Sequence, residues 1–178
     1  MSEARPFSPV SAQAAVSAPD YAERREAILV VSPAPEDHAL LAPLLDRCGR
    51  KMYTARSYRE AVAVLCRDRF SVVLCERDLP DGKWKDLLSQ IAPLADPPCL
   101  IVISHAADEY LWAEVLNLGG YDVLAKPFDP QEVLRVVTLA CDHWRRECQR
   151  SSGFDASPKP QGHAEAIPPQ VFKTAAGR

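Results

Sequence analysis

The chain has 178 residues, of which 47% are hydrophobic and 25% are charged, a composition typical of a soluble globular protein with one domain. Its net charge of −3 lacks the basic footprint of a nucleic-acid-binding protein, and no apolar run is long enough to span a membrane. Because the N-terminus shows no signal-peptide pattern, we expect a cytoplasmic protein with neither nucleic acid nor membrane as partner.

The two ends of the chain differ in composition from the middle. Residues 1–23 are rich in Ala, Ser and Pro and show no lasting periodicity, so we expect a disordered N-terminal arm. Residues 151–178 contain four prolines and few apolar side chains, and we expect a disordered C-terminal tail there. The folded domain is therefore predicted to occupy residues 24–150.

Short apolar runs alternate with helical patterns throughout this domain. The apolar runs are typical of buried strands and comprise residues 27–31, 51–55, 71–76, 99–104 and 122–125. The helical patterns begin near residues 35, 57, 83, 108 and 129. Three of these starts carry capping signals: Ser57 with Glu60 forms a capping box, Asp108 is a cap residue, and Asp129 precedes Pro130.

The first helix is predicted from an apolar face and from its two ends. The apolar side chains are Leu40, Leu41, Leu44 and Leu45, and Gly49 follows as a left-handed cap. Glu36 and Asp37 lie in the first turn, where the helix dipole favours acidic residues. We therefore interpret these two acids as helix-start residues rather than as displaced metal ligands.

Five strands that alternate with five helices predict an α/β fold with three layers. The sheet is expected to be parallel, with the flavodoxin-like order 2-1-3-4-5 and with helices on both faces. Ligands bind such sheets outside the carboxyl ends of the strands. The residues predicted to meet there are Ser32, Pro33, Glu76, Ser104 and Lys126.

A carboxylate, a hydroxyl and an ammonium group at one sheet edge can hold an anion or can hold each other. The peptide bond between Lys126 and Pro127 is a candidate for the cis form, since the cis form costs little before proline. A cis bond would direct Lys126 back across the edge of the sheet.

Residues 26–148 resemble the receiver domain of two-component response regulators, a family of bacterial signalling proteins, over the full length of that domain. The matching segments are Ile28-Leu29-Val30-Val31, Val73-Leu74-Cys75-Glu76 with Leu79-Pro80-Asp81-Gly82, Ile101-Val102-Ile103-Ser104, and Gly119-Gly120 through Lys126-Pro127-Phe128.

The resemblance implies a function for each strand end. In such receivers an Asp at the position of Glu76 accepts a phosphoryl group from a histidine kinase, and two acids after the first strand help to hold Mg²⁺. The groups at Ser104 and Lys126 contact the phosphoryl oxygens. An aromatic residue at the position of Val123 moves inward as the switch.

This chain departs from the family pattern at the positions that bind the metal, accept the phosphoryl group and act as the switch. Ser32 and Pro33 replace the acidic pair, Glu76 replaces the acceptor, and Val123 replaces the switch residue. A hard divalent cation needs oxygen ligands, normally with negative charge among them, so we expect no Mg²⁺ site and no other cofactor. Glu76 is one methylene too long for in-line phosphoryl transfer, which depends on positioning.

We therefore expect a pseudo-receiver in phosphorelay signalling that acts through protein–protein interaction and is not an enzyme. Its partner would be a histidine kinase or an output protein, or a second copy bound through the fourth helix, fifth strand and fifth helix. Trp112 and Trp144 lie on that face by sequence, although Trp144 equally fits the core, and Trp84 is expected to pack at the start of the third helix.

Two other functions remain open at this point. A phosphorylatable receiver would use Glu76 or Asp78 with Mg²⁺, although we interpret Asp78 as a solvated loop acid. A flavin- or nucleotide-binding module would need a phosphate-binding loop after the first strand, where residues 32–35 contain two prolines and no glycine. Tyr121 is predicted to share a strand face with Val123, where it could replace the switch residue.

Overall fold

The computed structural model describes residues 27–153, with side chains described through residue 151. Seven strands and five helices follow each other as β1 (Ile28–Val31), α1 (Pro35–Arg47), β2 (Met52–Ala55), α2 (Tyr58–Leu65), β3 (Val72–Glu76), β4 (Asp78–Leu79), β5 (Gly82–Lys83), α3 (Trp84–Ile91), β6 (Cys99–Ser104), α4 (Glu109–Leu118), β7 (Asp122–Ala125) and α5 (Pro130–Gly153). The predicted arm, residues 1–23, lies outside the described residues. Of the predicted tail, residues 151–153 continue α5 instead of being disordered, and residues 154–178 lie outside the described residues.

A five-stranded parallel sheet forms the centre of the fold, in the order β2-β1-β3-β6-β7. This is the predicted order, since β6 and β7 are the fourth and fifth predicted strands. None of the helices in residues 27–153 is long and apolar enough to cross a lipid bilayer.

Alternate side chains of each central strand enter two separate apolar layers. In β1, Leu29 and Val31 pack with the buried residues of α2, α3 and α4, whereas Ile28 and Val30 pack with those of α1 and α5. Both layers exclude water, which is why the strands read as continuous apolar runs. Burying each such side chain contributes roughly 1.5–3 kcal/mol to folding.

The helix starts follow the capping signals. The Ser57 hydroxyl accepts from the Glu60 N–H, Asp108 accepts from the Leu111 N–H, and Asp129 accepts from two N–H groups of the first turn of α5. The Glu60 carboxylate reaches the Arg56 N–H, one residue earlier than in the standard capping box. Each cap satisfies a backbone donor that the helix itself leaves free.

One expectation about burial was wrong in detail. Leu40 is 57% exposed, because the buried face of α1 passes through Leu41 and Leu45. Trp144 and Trp84 are both in the interior, which favours the core alternative for Trp144 and confirms the packing of Trp84.

A small antiparallel hairpin, which the sequence indicated only as a turn, follows β3. Asp78 and Leu79 pair with Lys83 and Gly82. At its tip, the Asp81 carboxylate accepts hydrogen bonds from the N–H groups of Tyr58 (2.7 Å) and Arg59 (3.1 Å). This carboxylate therefore caps α2 from a distant part of the chain and fixes the hairpin that follows Glu76.

We expect Asp81→Asn to lower the midpoint of urea unfolding at neutral pH. Desolvation alone would raise the pKa of Asp81, but the N–H groups of Arg59 and Tyr58 hold this pKa below its ordinary value. A lowered pKa contributes stability at pH values above the ordinary one, and this contribution is lost as the pH falls through the folded-state pKa. Unfolding curves at several pH values should therefore converge for wild type and variant in acid.

The control is Asp46→Asn, which changes an exposed acid at the end of α1. This variant should not lower the midpoint at neutral pH. A gap between wild type and Asp81→Asn that stays constant down to pH values of about 2 would contradict the capping role.

Candidate functional site

The carboxyl ends of four parallel strands meet at one edge of the sheet. Ser32 follows β1, Glu76 ends β3, Ser104 ends β6, and Lys126 follows β7. The strand register brings them together, since Glu76 lies beside Ile103 and Ser104 lies beside Ala125. The Lys126–Pro127 peptide bond is cis.

Lys126 is the centre of the site, and its ammonium group contacts two carboxylates. Its Nζ donates to Glu76 Oε2 and, at 2.6 Å, to Asp37 Oδ2. The side chains are only 6% exposed for Lys126, 16% for Glu76 and 8% for Asp37. The cluster of Asp37, Glu76 and Lys126, which we call the ionic cluster, is therefore shielded from water.

Asp37 is the site residue that the sequence analysis missed. It lies in the first turn of α1, as predicted, but its carboxylate is buried and also accepts from the Ser32 hydroxyl at 2.5 Å. The signal was its spacing, because Asp37 precedes the buried Leu41 and Leu45 by one and two helical turns. An acid at that phase points inward rather than to solvent.

The pKa of Lys126 reflects a balance between burial and its two partners. Burial alone would lower this pKa, but the hydrogen bonds and charges of Asp37 and Glu76 outweigh it and raise the pKa above its ordinary value. Lys126 is therefore a cation at neutral pH. Two carboxylates and one ammonium group give the ionic cluster a formal charge of −1.

Ser104 lies at the same edge but is engaged elsewhere. Its hydroxyl oxygen is buried and accepts from the Ala106 N–H at 3.1 Å. In the described part of the chain this hydroxyl makes no hydrogen bond to Glu76 or to Lys126. Of the groups that were expected to meet, Glu76 and Lys126 are therefore in contact, and Asp37 joins them. The Ser104 hydroxyl is instead hydrogen-bonded within its own loop.

The positions around the switch residue are arranged differently from the prediction. Val123 is partly buried and packs against the layer formed with α2, α3 and α4. Tyr121 packs against the opposite layer, near the His143 ring. The expectation that both share a face was wrong, because Tyr121 precedes β7 and the alternation of that strand does not extend to it.

The other acidic groups near the site are accounted for. Asp78 is 53% exposed and forms an ion pair with Arg77 at 2.7 Å. Ser32 and Pro33 supply no carboxylate after β1. Within residues 27–151, no group of three or more His, Cys, Asp or Glu side chains is placed so that it could hold a metal ion.

We expect Asp37→Asn to destabilise the protein by about 1–3 kcal/mol, because it weakens a buried, charge-assisted hydrogen bond to Lys126. Glu36→Gln is the matched control, since Glu36 is an exposed acid in the same helical turn. Its cost should stay within about 0.5 kcal/mol. Urea unfolding measures both variants, and equal costs would show that Asp37 acts through the helix dipole alone.

Comparison with known proteins identifies the fold and its family. The family model described as "Response regulator receiver domain" matches residues 28–138, which is more than half of the chain. The response regulator protein PilR of Pseudomonas aeruginosa is 30% identical over 118 residues, covering 65% of this chain and 26% of PilR. The first curated relatives are thus much longer, and this chain matches only about a quarter of their length.

Solved structures agree with the family model. The signal receiver domain of an HD domain-containing protein from Pseudomonas fluorescens has a TM-score of 0.65 at 28% identity, with 71% of this chain and 94% of that chain covered. The signal receiver domain of a LuxO repressor protein from Vibrio parahaemolyticus has a TM-score of 0.66 at 19% identity, with 71% and 97% covered. The chain therefore belongs to the response regulator receiver domain family of two-component signalling.

Proposed function

We propose that this receiver domain works without phosphorylation, as a binding module for another signalling protein. The observation that carries the proposal is the ionic cluster. Lys126 is already paired with Glu76, which stands at the phosphoacceptor position, and with Asp37. Two of the three groups that would handle an incoming phosphoryl group, Glu76 and Lys126, are thus bound to each other.

The geometry of Glu76 supports this proposal. Phosphoryl transfer depends almost wholly on positioning and on neutralisation of charge. Glu76 carries its carboxylate one methylene further than an aspartate would, and its Oε2 accepts a hydrogen bond from the buried ammonium group of Lys126. Attack on a phosphoryl donor would require this buried ion pair to open, which leaves Asp37 alone to neutralise the buried ammonium group of Lys126.

The available oxygen donors favour a receiver that does not use Mg²⁺. Ser32 and Pro33 occupy the positions after β1, and the Ser32 hydroxyl is donated to Asp37. The Asp37 carboxylate is shared between Ser32 and Lys126. Mg²⁺ demands near-octahedral oxygen ligands, and Lys126 competes directly for the two carboxylates that are present.

Glu76 would act as a built-in anion that sets the state of the site permanently. A carboxylate brings one negative charge where a phosphoryl group brings roughly two. The Ser104 hydroxyl is held by Ala106 and not by Glu76, so the imitation of a phosphorylated site is incomplete. The proposed domain is therefore a fixed scaffold rather than a switch.

The surface formed by α4, β7 and α5 is the docking face in this proposal. Trp112 is 51% exposed, Leu116 is 38% exposed and Leu139 is 46% exposed. Exposed aromatic side chains are common at the centres of protein interfaces. A signalling protein or a second copy of the chain would cover them, and the domain itself would catalyse no reaction.

Incubation of the full chain with acetyl phosphate and Mg²⁺, followed by intact-mass measurement, tests the absence of phosphorylation. We expect no mass gain of a phosphoryl group. A receiver domain with the full acidic pattern, treated in parallel, is the positive control. A gain that Glu76→Ala or Asp78→Ala abolishes would overturn the proposal in favour of a phosphorylatable receiver.

Thermal unfolding with and without Mg²⁺ tests metal binding independently. A ligand that binds the native state raises the unfolding temperature in proportion to RT ln(1 + [L]/Kd). We expect no rise at about 10 mM Mg²⁺ beyond that caused by a salt of equal ionic strength. A rise that Asp37→Asn removes would show that the ionic cluster does hold the cation.

A further inference from the structure

A cavity beside β7 has features that the ionic cluster does not explain. It has a volume of about 480 Å³ and lies between the start of α4, the strand β7 and the first turn of α5. Its described lining residues are Ala107, Asp108, Glu109, Trp112, Val123, Ala125 and Glu132. This cavity, which we call the Trp112 cavity, is large enough to admit a side chain from a partner.

The Trp112 cavity combines an aromatic wall with a rim of one charge. All three ionisable residues that line it among residues 27–151 are acids, namely Asp108, Glu109 and Glu132, and each is exposed. The Asp108 carboxylate interacts electrostatically with Arg77, whose guanidinium group pairs with Asp78 at 2.7 Å. The rim is therefore negative and offers no described basic group of its own.

The ring of Trp112 is held in place without being covered. Its Nε1 donates to Asp122 Oδ1 at 3.1 Å, and the same carboxylate oxygen accepts from the Val123 N–H. This anchors the indole at the edge of β7 while half of the side chain stays exposed. The small side chains of Val123 and Ala125 leave room beside it.

We propose that the Trp112 cavity receives an arginine side chain from an apolar segment of the partner protein. The inference rests on the proposed binding function and names the chemistry of the partner. A guanidinium group stacks on an indole face and pairs with carboxylates in its own plane, so it satisfies the wall and the rim together. The exposed Leu116, one turn after Trp112, provides apolar contact for the residues beside the arginine.

Titration of the ¹⁵N-labelled full chain tests the proposal with two matched peptides. One is acetyl-Gly-Leu-Arg-Leu-Gly-amide, and the other carries the uncharged isostere citrulline in place of arginine. With the arginine peptide we expect shifts of the Trp112 indole N–H and of the Val123 and Ala125 amides. The citrulline peptide should bind at least about tenfold more weakly, because both cation–π and ionic attraction are lost.

Three variants locate the effect. Trp112→Leu should weaken binding of the arginine peptide about tenfold, and Glu132→Gln should weaken it several-fold and reduce its dependence on salt. Tyr110→Ala is the matched control, because Tyr110 is an 87% exposed aromatic on the same helix that does not line the cavity. Its affinity for the arginine peptide should equal that of the wild type.

Several outcomes would overturn the proposal: equal affinity for both peptides, shifts confined to another surface, no shifts, or equal losses in the Trp112 and Tyr110 variants. Self-association that sedimentation detects and that covers Trp112 would identify a second copy of the chain as the occupant of the cavity instead. The titration contains no phosphodonor and no Mg²⁺. Its failure is therefore distinguishable from a failure of the phosphorylation-independent function, which the mass measurement decides.

Discussion

The arrangement of the site depends on one buried ion, the ammonium group of Lys126. A charge removed from water must be paired and hydrogen-bonded, or it destabilises the fold by several kcal/mol. Lys126 meets this requirement with Asp37 from the start of α1 and Glu76 from the end of β3. Three segments far apart in the sequence are thereby fixed to one another at the edge of the sheet.

This mutual satisfaction limits what the site can do chemically. A group that attacks the phosphorus atom or binds a phosphoryl oxygen must be free to exchange its partner during the reaction. In the ionic cluster, exchange at Lys126 would strand two carboxylates, and exchange at Glu76 would leave Asp37 alone to neutralise the ammonium group. In the proposed function, the stability of the resting arrangement therefore opposes reactivity toward a phosphoryl donor.

The fold could be predicted because both apolar layers are visible as patterns in the amino-acid sequence. Strands covered on two faces are continuous apolar runs, and the helix starts carry side chains that cap them. The hairpin of β4 and β5 left no such pattern, since each strand has two residues and the tie from Asp81 to α2 joins positions more than 20 residues apart.

The site was predicted only in part, for reasons that concern single side chains. Glu76, Ser104 and Lys126 were placed at one edge because strand ends follow from the sheet order. Asp37 was missed because a first-turn acid already has a sufficient local explanation in the helix dipole. The orientation of the Ser104 hydroxyl could not be predicted from the sequence, because it is set by a hydrogen bond from the Ala106 N–H within the same loop.

The ionic cluster and the proposed docking surface are held by different contacts. The ionic cluster ties α1 and β3 to the residue after β7, whereas α4 is held by its own contacts, Trp112 to Asp122 and Lys85 to Glu114.

The two regions are joined through the backbone, where the Lys126 N–H donates to the Ser104 carbonyl, while the Ser104 side chain faces Ala106. The described link between the ionic cluster and β6 is therefore a backbone hydrogen bond and not the Ser104 hydroxyl. In the proposed function, a docking surface set in this way would present one shape to its partner.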